Sequence, residues 1–300
     1  LASYVLRGID DQSTVTNPES VKTMPNSQTV LGVTGALSGE DLEADFSLGY
    51  TDDLFPYDDN ERDPMPNRVN AIAGSANYVF VGHDAGFSGR AADGWHAYGA
   101  GSGLAGKRVR AIVVVEDRVF FGTEGGLTVV TLEGVSPLDK AANWERYGRS
   151  DGLLDLSVRA LAVDGDVLWV GTDGGLFRVP LGEMGDPDAW LELDDAALEE
   201  TRSLCLADGA LYVGTTSAFV TVAREDGGVL ATAVGDAVLD LATDGESVYA
   251  GGPLGLRRFV GGALAEWVAS DVSGLSVDAW DDDVFYGTSS GLRRASDGEA

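Results

Sequence analysis

The chain has one cysteine, two histidines and three lysines among its 300 residues. The lone cysteine, Cys205, excludes an internal disulfide and any zinc site built from several cysteines. Leu204 and Leu206 flank it in a strand-like pattern, so we expect a buried, inert thiol. Two histidines cannot supply a three-histidine metal centre. The chain also has no apolar run long enough to cross a membrane as a helix, so we expect no membrane span.

Positive charge is equally scarce. Lys and Arg together number 20 against 49 Asp and Glu, which gives a net charge of −29. Such a field repels nucleic acid and anionic membrane surfaces, which excludes both as partners. Since a surface rich in Asp and poor in Lys suits a salty medium, we predict an extracellular, periplasmic or cell-surface location. A halophilic or calcium-rich setting would explain the acidity.

A repeat occupies most of the chain. Six segments align at intervals of 36 to 49 residues, and each carries a glycine at the same point: Gly82, Gly122, Gly171, Gly214, Gly251 and Gly287. Repeats of this length indicate that one supersecondary unit occurs several times in tandem. Variable loops account for the uneven spacing.

Each repeat predicts four antiparallel strands. In the third repeat, Ala160–Val163 and Val167–Val170 flank an Asp-Gly turn, and Leu176–Val179 follows a Gly-Thr-x-x-Gly-Leu turn. Such Asp-Gly pairs close two-residue hairpins, and they recur at Asp208–Gly209 and Asp244–Gly245. A fourth strand begins near a tryptophan in four repeats, at Trp95, Trp144, Trp190 and Trp267. Both faces of these strands are apolar, which favours radially packed sheets over a solenoid or a sandwich. The predicted fold is therefore an all-β β-propeller with four-stranded blades.

We predict one propeller domain spanning residues 1–300. Residues 67–300 hold the six clear repeats, and residues 1–66 are interpreted as a degenerate first blade plus a closing strand. That gives seven blades, with six blades and an N-terminal extension as the alternative. The last repeat has no tryptophan strand, so the N-terminal run Ser3–Arg7 is predicted to close the ring.

Two repeats carry a more specific pattern. Trp144 opens WERYGRSDGLLDLSVRALAVDGDVLWVGTDGGLFRV, and Trp95 opens a segment of the same form. These segments resemble the two-component regulator propeller repeat, with its Trp-x-x-Tyr strand, Asp-Gly-Leu loop and Leu-Trp-Val-Gly-Thr-x-x-Gly-Leu hairpin. The match is specific in two repeats, good in the other four and poor over residues 1–66. The resemblance implies a sensor propeller outside the cytoplasm, although the repeat also occurs in other surface proteins.

The candidate binding site is basic. One equivalent position, second in the inner strand, carries Asn70, Arg110, Arg159 and Arg202 in consecutive repeats. Equivalent positions lie on a circle in a propeller, so these side chains are predicted to face one funnel, where arginine forks bind carboxylates or phosphates. The alternative is that each arginine pairs with an acid of a neighbouring blade, such as Asp240 or Asp278, and fixes packing. His83 is added as a ligand-binding candidate because it replaces the threonine of the repeat.

An acidic loop is the candidate metal site. Asp58, Asp59, Glu61 and Asp63 lie within six residues of each other. Calcium prefers six to eight hard oxygen ligands, and these carboxylates would supply some of them. The alternative is a flexible, solvated loop. Otherwise we expect no cofactor.

Two enzyme-like motifs are interpreted as turns of the repeat. Gly287-Thr-Ser-Ser-Gly291 fits a nucleophile elbow and Gly101-Ser-Gly-Leu-Ala-Gly106 fits a nucleotide-binding loop, but neither precedes a predicted helix. We therefore predict a non-catalytic module that binds a protein partner or a small anionic or carbohydrate ligand. The alternatives are a hydrolase or lyase acting at the axial funnel and a structural subunit of a surface assembly.

Overall fold

The structure is a computed structural model. It describes the backbone of residues 32–38 and 43–49, and residues 69–295 except 76, 92–93, 133–137, 139, 271–275, 281–282 and 289–290. Strands β1 (Gly32–Ser38) and β2 (Glu43–Gly49) form an antiparallel hairpin in which Gly32 lies opposite Gly49. This hairpin belongs to a compact unit separate from the one that begins at Arg68. The prediction of a single domain over residues 1–300 stays a prediction.

The larger unit is built from consecutive antiparallel sheets, each running in chain order from its first strand outward. The first three sheets contain β3 Val69–Gly74, β4 Val79–His83, β5 Gly86–Ala91, β6 Gly94–Tyr98; β7 Val109–Val115, β8 Arg118–Thr123, β9 Gly126–Thr131, β10 Trp144–Tyr147; and β11 Val158–Asp164, β12 Val167–Thr172, β13 Leu176–Pro180, β14 Leu191–Leu193. The last three contain β15 Thr201–Ala207, β16 Ala210–Thr215, β17 Ala218–Ala223, β18 Val229–Val234; β19 Asp240–Thr243, β20 Val248–Gly252, β21 Gly255–Val260, β22 Ala263–Ala269; and β23 Ser276–Trp280, β24 Asp283–Thr288, β25 Gly291–Ala295.

These six sheets are the blades of an all-β propeller, which confirms the predicted fold class. The preferred count of seven blades was wrong: the described residues form six, and the alternative count holds. Among those residues, the stretch interpreted as the first blade supplies only the two strands β1 and β2. The sixth blade has three described strands where the others have four. Ser3–Arg7, the predicted closing strand, lies outside the described residues.

Of the three predicted Asp-Gly turns between first and second strands, the one in the fourth blade is found as predicted. In the third blade the turn is shifted by one residue to Gly165 and Asp166, because Asp164 pairs with Val167. Asp208 and Gly209 have φ angles of 47° and 75° between paired Ala207 and Ala210, which is a two-residue turn with both residues left-handed. The fifth blade differs, because its ladder ends at Thr243 and Val248 and leaves a four-residue loop. There the Asp244 carboxylate accepts the Ser247 N–H at 2.6 Å and the Tyr249 hydroxyl at 2.9 Å, so side-chain hydrogen bonds organise the loop.

The hydrophobic core is divided among the junctions between blades. Five separate clusters of buried side chains each combine residues of two consecutive blades. Between the first two blades, the rings of Phe87 and Phe121 stack with centroids 4.1 Å apart. Phe219 and Phe259 do the same between the fourth and fifth blades at 3.9 Å. Each full burial of such a ring contributes roughly 2 to 3 kcal/mol, so packing between blades holds the unit together.

The repeat glycine permits this close packing. A Cβ atom on Gly82 would lie 2.6 Å from the Val109 side chain, and a Cβ on Gly122 would lie 2.6 Å from that of Val158. In both cases the valine opens the inner strand of the next blade. Glycine is therefore required where the second strand of one blade meets the first strand of the next.

Trp144 and Trp190 pack on the loops that precede their own blades. Trp144 lies against Gly103, and the Trp190 ring lies so close to Gly152 that a Cβ there would be 2.8 Å from its Cδ1. Both glycines have left-handed φ angles, 115° and 105°. Trp144 opens β10 as predicted, whereas Trp190 precedes β14. The loops that contain Gly103-Leu104 and Gly152-Leu153 are thus the surfaces against which the tryptophans of the outer strands pack.

Within the described part of the chain, the only helical segments are single 3-10 turns of three residues. No helix there has the length and apolar character to span a bilayer.

Candidate functional site

A β-bulge marks the predicted ligand-binding position in four consecutive blades. The pairing of first and second strands skips one residue at the same point in each, and the residues skipped are Asn70, Arg110, Arg159 and Arg202. A bulged residue leaves the ladder and its side chain is aimed away from the regular pleat. All four are partly buried. The structure thus brings the four sequence-predicted residues to the same end of their blades, beside the turns that join second and third strands.

In the third blade the bulge arginine binds a turn carboxylate. Arg159 donates from Nε to Asp173 Oδ1 at 2.6 Å and from its terminal nitrogen to Oδ2 at 2.8 Å. Arg202 of the next blade approaches the same Oδ1 at 3.6 Å. Burial raises the pKa of Asp173, but the hydrogen bonds from Arg159 and Ser157 and the charges of both arginines outweigh it, so the pKa lies below its usual range. One carboxylate therefore serves two guanidinium groups.

Arg202 has a second, looser acidic neighbour. Its other terminal nitrogen lies 3.7 Å from Glu200 Oε2, and Thr216 donates its hydroxyl to that same oxygen. More than half of the Glu200 side chain is exposed, which weakens the pair by solvent screening.

The first blade repeats the arrangement with different side chains. The Asn70 amide donates to Asp84 Oδ1 at 2.9 Å and to the Val109 carbonyl of the next blade at 3.1 Å. Arg108, also from the next blade, lies 2.9 Å from Asp84 Oδ1. The turn acid again links the bulge residue of its own blade with a basic residue of the following one.

The second blade departs from this pattern. Its turn acid, Glu124, accepts the backbone N–H groups of Lys107 and Arg108 at 3.1 and 2.8 Å and so is committed to the loop before its own blade. The bulge residue Arg110 donates instead to Ser157 Oγ at 2.9 Å. Burial lowers the pKa of Arg110 most, and the positive charges of Arg159 and Arg108 lower it further. The negative charges of Asp173 and Glu124 raise it, but by less.

His83 has a structural position. It occupies the place of the repeat threonines Thr123 and Thr172, whose hydroxyls accept the N–H of Gly125 and Gly175 at 3.1 Å. His83 Nδ1 accepts the Ala85 N–H at 3.3 Å in the same way, and the residue is 2% exposed. Burial lowers its pKa while the Asp84 charge opposes the change. Its ligand-binding role stays a prediction.

Asp240 does not hold any of the bulge arginines. Its carboxylate accepts the Leu241 N–H at 3.0 Å and, across the junction with the sixth blade, the Val277 N–H at 2.9 Å. Burial and the nearby charge of Asp278 raise the pKa of Asp240 to about 6 in spite of those hydrogen bonds. The predicted alternative of ionic packing between blades therefore occurs at Arg202, but with Asp173 as the acid.

The calcium candidates Asp58, Asp59, Glu61 and Asp63 lie outside the described residues. Across the part of the chain that the structure does describe, no cluster of three or more His, Cys, Asp or Glu side chains is arranged for a metal ion.

The turn acids were missed by sequence reasoning. Asp84, Glu124 and Asp173 each lie two residues after the repeat glycine, so an acidic side chain at that position in three consecutive repeats was the available signal. The Gly287–Gly291 motif shares a hydrogen bond with the repeat turns: Thr288 donates to the Gly291 carbonyl at 2.9 Å just as Thr172 does to that of Gly175 at 3.0 Å. Cys205 is buried, and burial raises the pKa of its thiol to about 12.

Structural comparison assigns the chain to the β-propellers. One similar structure is described as the extracellular domain of a hybrid two-component system from B. thetaiotaomicron, with a TM-score of 0.63 and 19% identity over 77% of this chain and 32% of that one. A second, described as that of a one-component system from the same organism, gives 0.64 and 17% over 90% and 39%. The WD40 domain of Neurospora crassa Pan2 gives 0.56 and 11% over 75% and 74%.

The chain thus spans about a third of the two extracellular domains. At these identities the likeness establishes the fold. It agrees with the resemblance of the sequence to the two-component regulator propeller repeat. No family model matches the chain, and no curated protein matches it.

Proposed function

We propose that this chain is a non-catalytic binding module that recognises an anionic ligand or an acidic group of a partner protein. The binding surface is the arginine face, defined as the bulge residues Arg110, Arg159 and Arg202 with their neighbours Ser157 and Asp173. The observation that carries the proposal is that three guanidinium groups lie at equivalent positions of consecutive blades, and that two of them share the Asp173 carboxylate while Arg110 contacts only the Ser157 hydroxyl, in a chain of net charge −29.

The chemistry of the arginine face suits an anion. A guanidinium presents paired N–H donors that match the two oxygens of a carboxylate, and it stays charged at every physiological pH. The side chains of Arg159 and Arg202 are 27% and 23% exposed, so the charges are partly desolvated yet accessible. Partial desolvation strengthens a bound ion pair relative to one in open water.

The surrounding acidity shapes which partner can bind. A net charge of −29 repels polyanions at long range, whereas a single carboxylate on a small molecule or sugar acid meets little of that field once salt screens it. This favours a small anionic ligand over an extended acidic chain. The similarity to extracellular domains of signalling proteins supports a location outside the cytoplasm and a sensor role.

The proposal assigns no catalytic residue. The carboxyl group with the clearest upward pKa shift, Asp240, accepts two backbone N–H groups and links the fifth and sixth blades, so it acts in packing. Its pKa alone does not make a reaction centre.

Thermal unfolding tests the proposal. The protein is melted in chloride, acetate and phosphate at equal ionic strength, because an anion that binds only the folded state raises the melting temperature with its concentration. We expect acetate or phosphate to stabilise the chain over chloride. We expect Asp173→Asn, which frees two guanidinium groups, to increase the effect, and Arg146→Gln on the exposed part of β10 to leave it unchanged. Equal melting temperatures in all three salts at every concentration would overturn the proposal.

A further inference from the structure

The turn acids follow a rule in the first and third blades. Each one binds the bulge residue of its own blade and a basic side chain of the next: Asp84 with Asn70 and Arg108, Asp173 with Arg159 and Arg202. In both cases a protein carboxylate neutralises positive charge at the junction that follows.

The junction between the second and third blades breaks the rule. By position Glu124 should meet Arg110 and Arg159, but both of its oxygens accept backbone N–H groups of the preceding loop. Arg159 binds the turn acid of its own blade, Asp173, and forms no ion pair with Glu124 among the described contacts. The only hydrogen bond of the Arg110 guanidinium to a described residue goes to the neutral hydroxyl of Ser157, and no described carboxylate lies within 4.0 Å of it.

The direct ion pairs at this junction leave out Arg110. Asp173 and the more distant Glu200 contact Arg159 and Arg202, whereas the charges of Asp173 and Glu124 act on Arg110 only at longer range. A partly buried cation without a carboxylate in direct contact is costly to the fold, and an opposite charge placed beside it recovers part of that energy. Arg110 is half-buried, so a ligand can still reach it from solvent.

We infer that a carboxylate of the ligand binds the Arg110 guanidinium at the junction between the second and third blades. It would take the place that the protein's own carboxylates, Asp84 and Asp173, occupy at the neighbouring junctions. The inference rests on the proposed function and narrows it to one residue and one chemical group. Arg110 is the contact that binds the ligand, whereas Arg159 and Arg202 hold Asp173 and complete the positive surroundings.

The charge and geometry favour a carboxylate over a phosphate. A planar carboxylate matches the fork of one guanidinium in two hydrogen bonds. It places one negative charge in direct contact with the guanidinium that no described carboxylate contacts. A phosphate dianion would add a second charge beside Asp173, whose Oδ2 accepts the same Ser157 hydroxyl at 2.6 Å that Arg110 contacts. Repulsion from that carboxylate weakens phosphate binding.

Titration calorimetry with sodium acetate and sodium phosphate, at constant ionic strength, tests the inference on the full chain. We expect acetate to bind the unsubstituted protein more tightly than phosphate does. Arg110→Gln should weaken acetate binding at least tenfold. Arg110→Lys, which keeps the charge but loses the fork, should weaken it by a smaller factor. Arg146→Gln removes one exposed arginine of the same blade and should bind acetate normally.

The outcomes separate the two proposals. Acetate binding that survives Arg110→Gln, or phosphate bound more tightly than acetate, overturns the inference and leaves an anion-binding face. If neither acetate nor phosphate binds, both the proposed function and the inference about Arg110 are overturned. Circular dichroism and melting of each variant without added anion establish that it is folded, and if Arg110→Gln is not, Arg110→Lys decides the same question.

Discussion

Arg159 donates two hydrogen bonds to Asp173, from Nε to Oδ1 at 2.6 Å and from a terminal nitrogen to Oδ2 at 2.8 Å. Arg159 lies near the start of β11, and Asp173 lies in the turn after β12 of the same blade. This pair fixes the turn between β12 and β13 and holds the carboxylate that Arg202 approaches from the next blade. The arginine face is therefore organised by an ion pair whose acid comes from a turn of the repeat.

Replacing Arg159 should cost modest stability. The Asp173 side chain is 35% exposed, so solvent screens the pair, and we expect Arg159→Gln to lower the free energy of unfolding by roughly 1 kcal/mol at pH 7. The folded-state pKa of Asp173 is lowered, so the pair stabilises the protein above pH 4 and is lost as the pH falls further. Denaturant unfolding at pH 7 and pH 3 should show the two proteins converging at the lower pH. If Arg159→Gln were destabilised by the same amount at pH 7 and at pH 3, the ion pair between Arg159 and Asp173 would not be the source of the stability.

The repeat glycine provides a sharper test of blade packing. Gly122→Ala would place a Cβ 2.6 Å from the fully buried Val158 side chain, which is stiff at χ1, and should destabilise the protein by about 1 to 3 kcal/mol. Gly182→Ala is the matched control, because no heavy atom lies within 4 Å of its Cβ position. Equal melting temperatures for the two variants would show that the blades do not meet as described.

Asp240 predicts an unusual pH dependence. Its pKa of about 6 in the folded state exceeds the ordinary value of 3.8, so the folded protein binds the proton more tightly than the unfolded chain does. This contribution to stability is present at low pH and is lost as the pH rises through about 6, which amounts to roughly 1 kcal/mol between pH 5 and pH 7. The charged and titratable groups facing it are Asp278 and Cys205.

The measurement is urea unfolding at pH 5 and pH 7. Asp240→Asn, whose side chain is neutral at both values, should abolish the difference in stability between pH 5 and pH 7, whereas Asp166→Asn, on an exposed turn, should retain that difference. The assignment fails if the Asp240 variant keeps the full pH dependence of the unsubstituted protein.

Closure of the ring by the N-terminal strand can be tested at the sixth blade. Its outermost described strand is β25, in a sheet of three where the other blades have four strands. If Ser3–Arg7 supplies the fourth strand, deleting residues 1–10 should lower the melting temperature, and a synthetic peptide of that sequence added back should restore it. Replacing residues 11–16 by a Gly/Ser linker of equal length is the control. A melting curve unchanged by the deletion would reject closure by this strand.

Sequence reasoning reached the repeating unit because each strand is encoded locally. The short apolar runs, Asp208–Gly209 at a tight turn and the repeat glycine Gly122 are all properties of short segments. The blade count was missed because strand-like composition in part of residues 1–66 does not decide whether four strands assemble against neighbouring blades.

The site was predicted only in part. Equivalent positions placed Arg110, Arg159 and Arg202 together, since a repeat fixes its own geometry. Their partners were not foreseen, because which oxygen of Asp173 or Glu124 meets which donor depends on contacts between loops of different blades. The alternative interpretation offered Asp240 as a partner of arginine, but its carboxylate accepts the backbone N–H groups of Leu241 and Val277.

Nuclear magnetic resonance of the arginine Nε–H groups tests the central claim most directly. The chain is labelled with ¹⁵N-arginine and titrated with acetate at constant ionic strength, and signals are assigned by single substitutions. The account predicts that the Arg110 signal shifts most and saturates, that Arg159 and Arg202 shift less, and that Arg146 stays fixed. If none of the three bulge arginines shifts, or if every arginine shifts by the same small amount, the arginine face is not an anion-binding site. A fixed Arg110 signal beside shifting Arg159 or Arg202 signals contradicts the assignment of Arg110 alone.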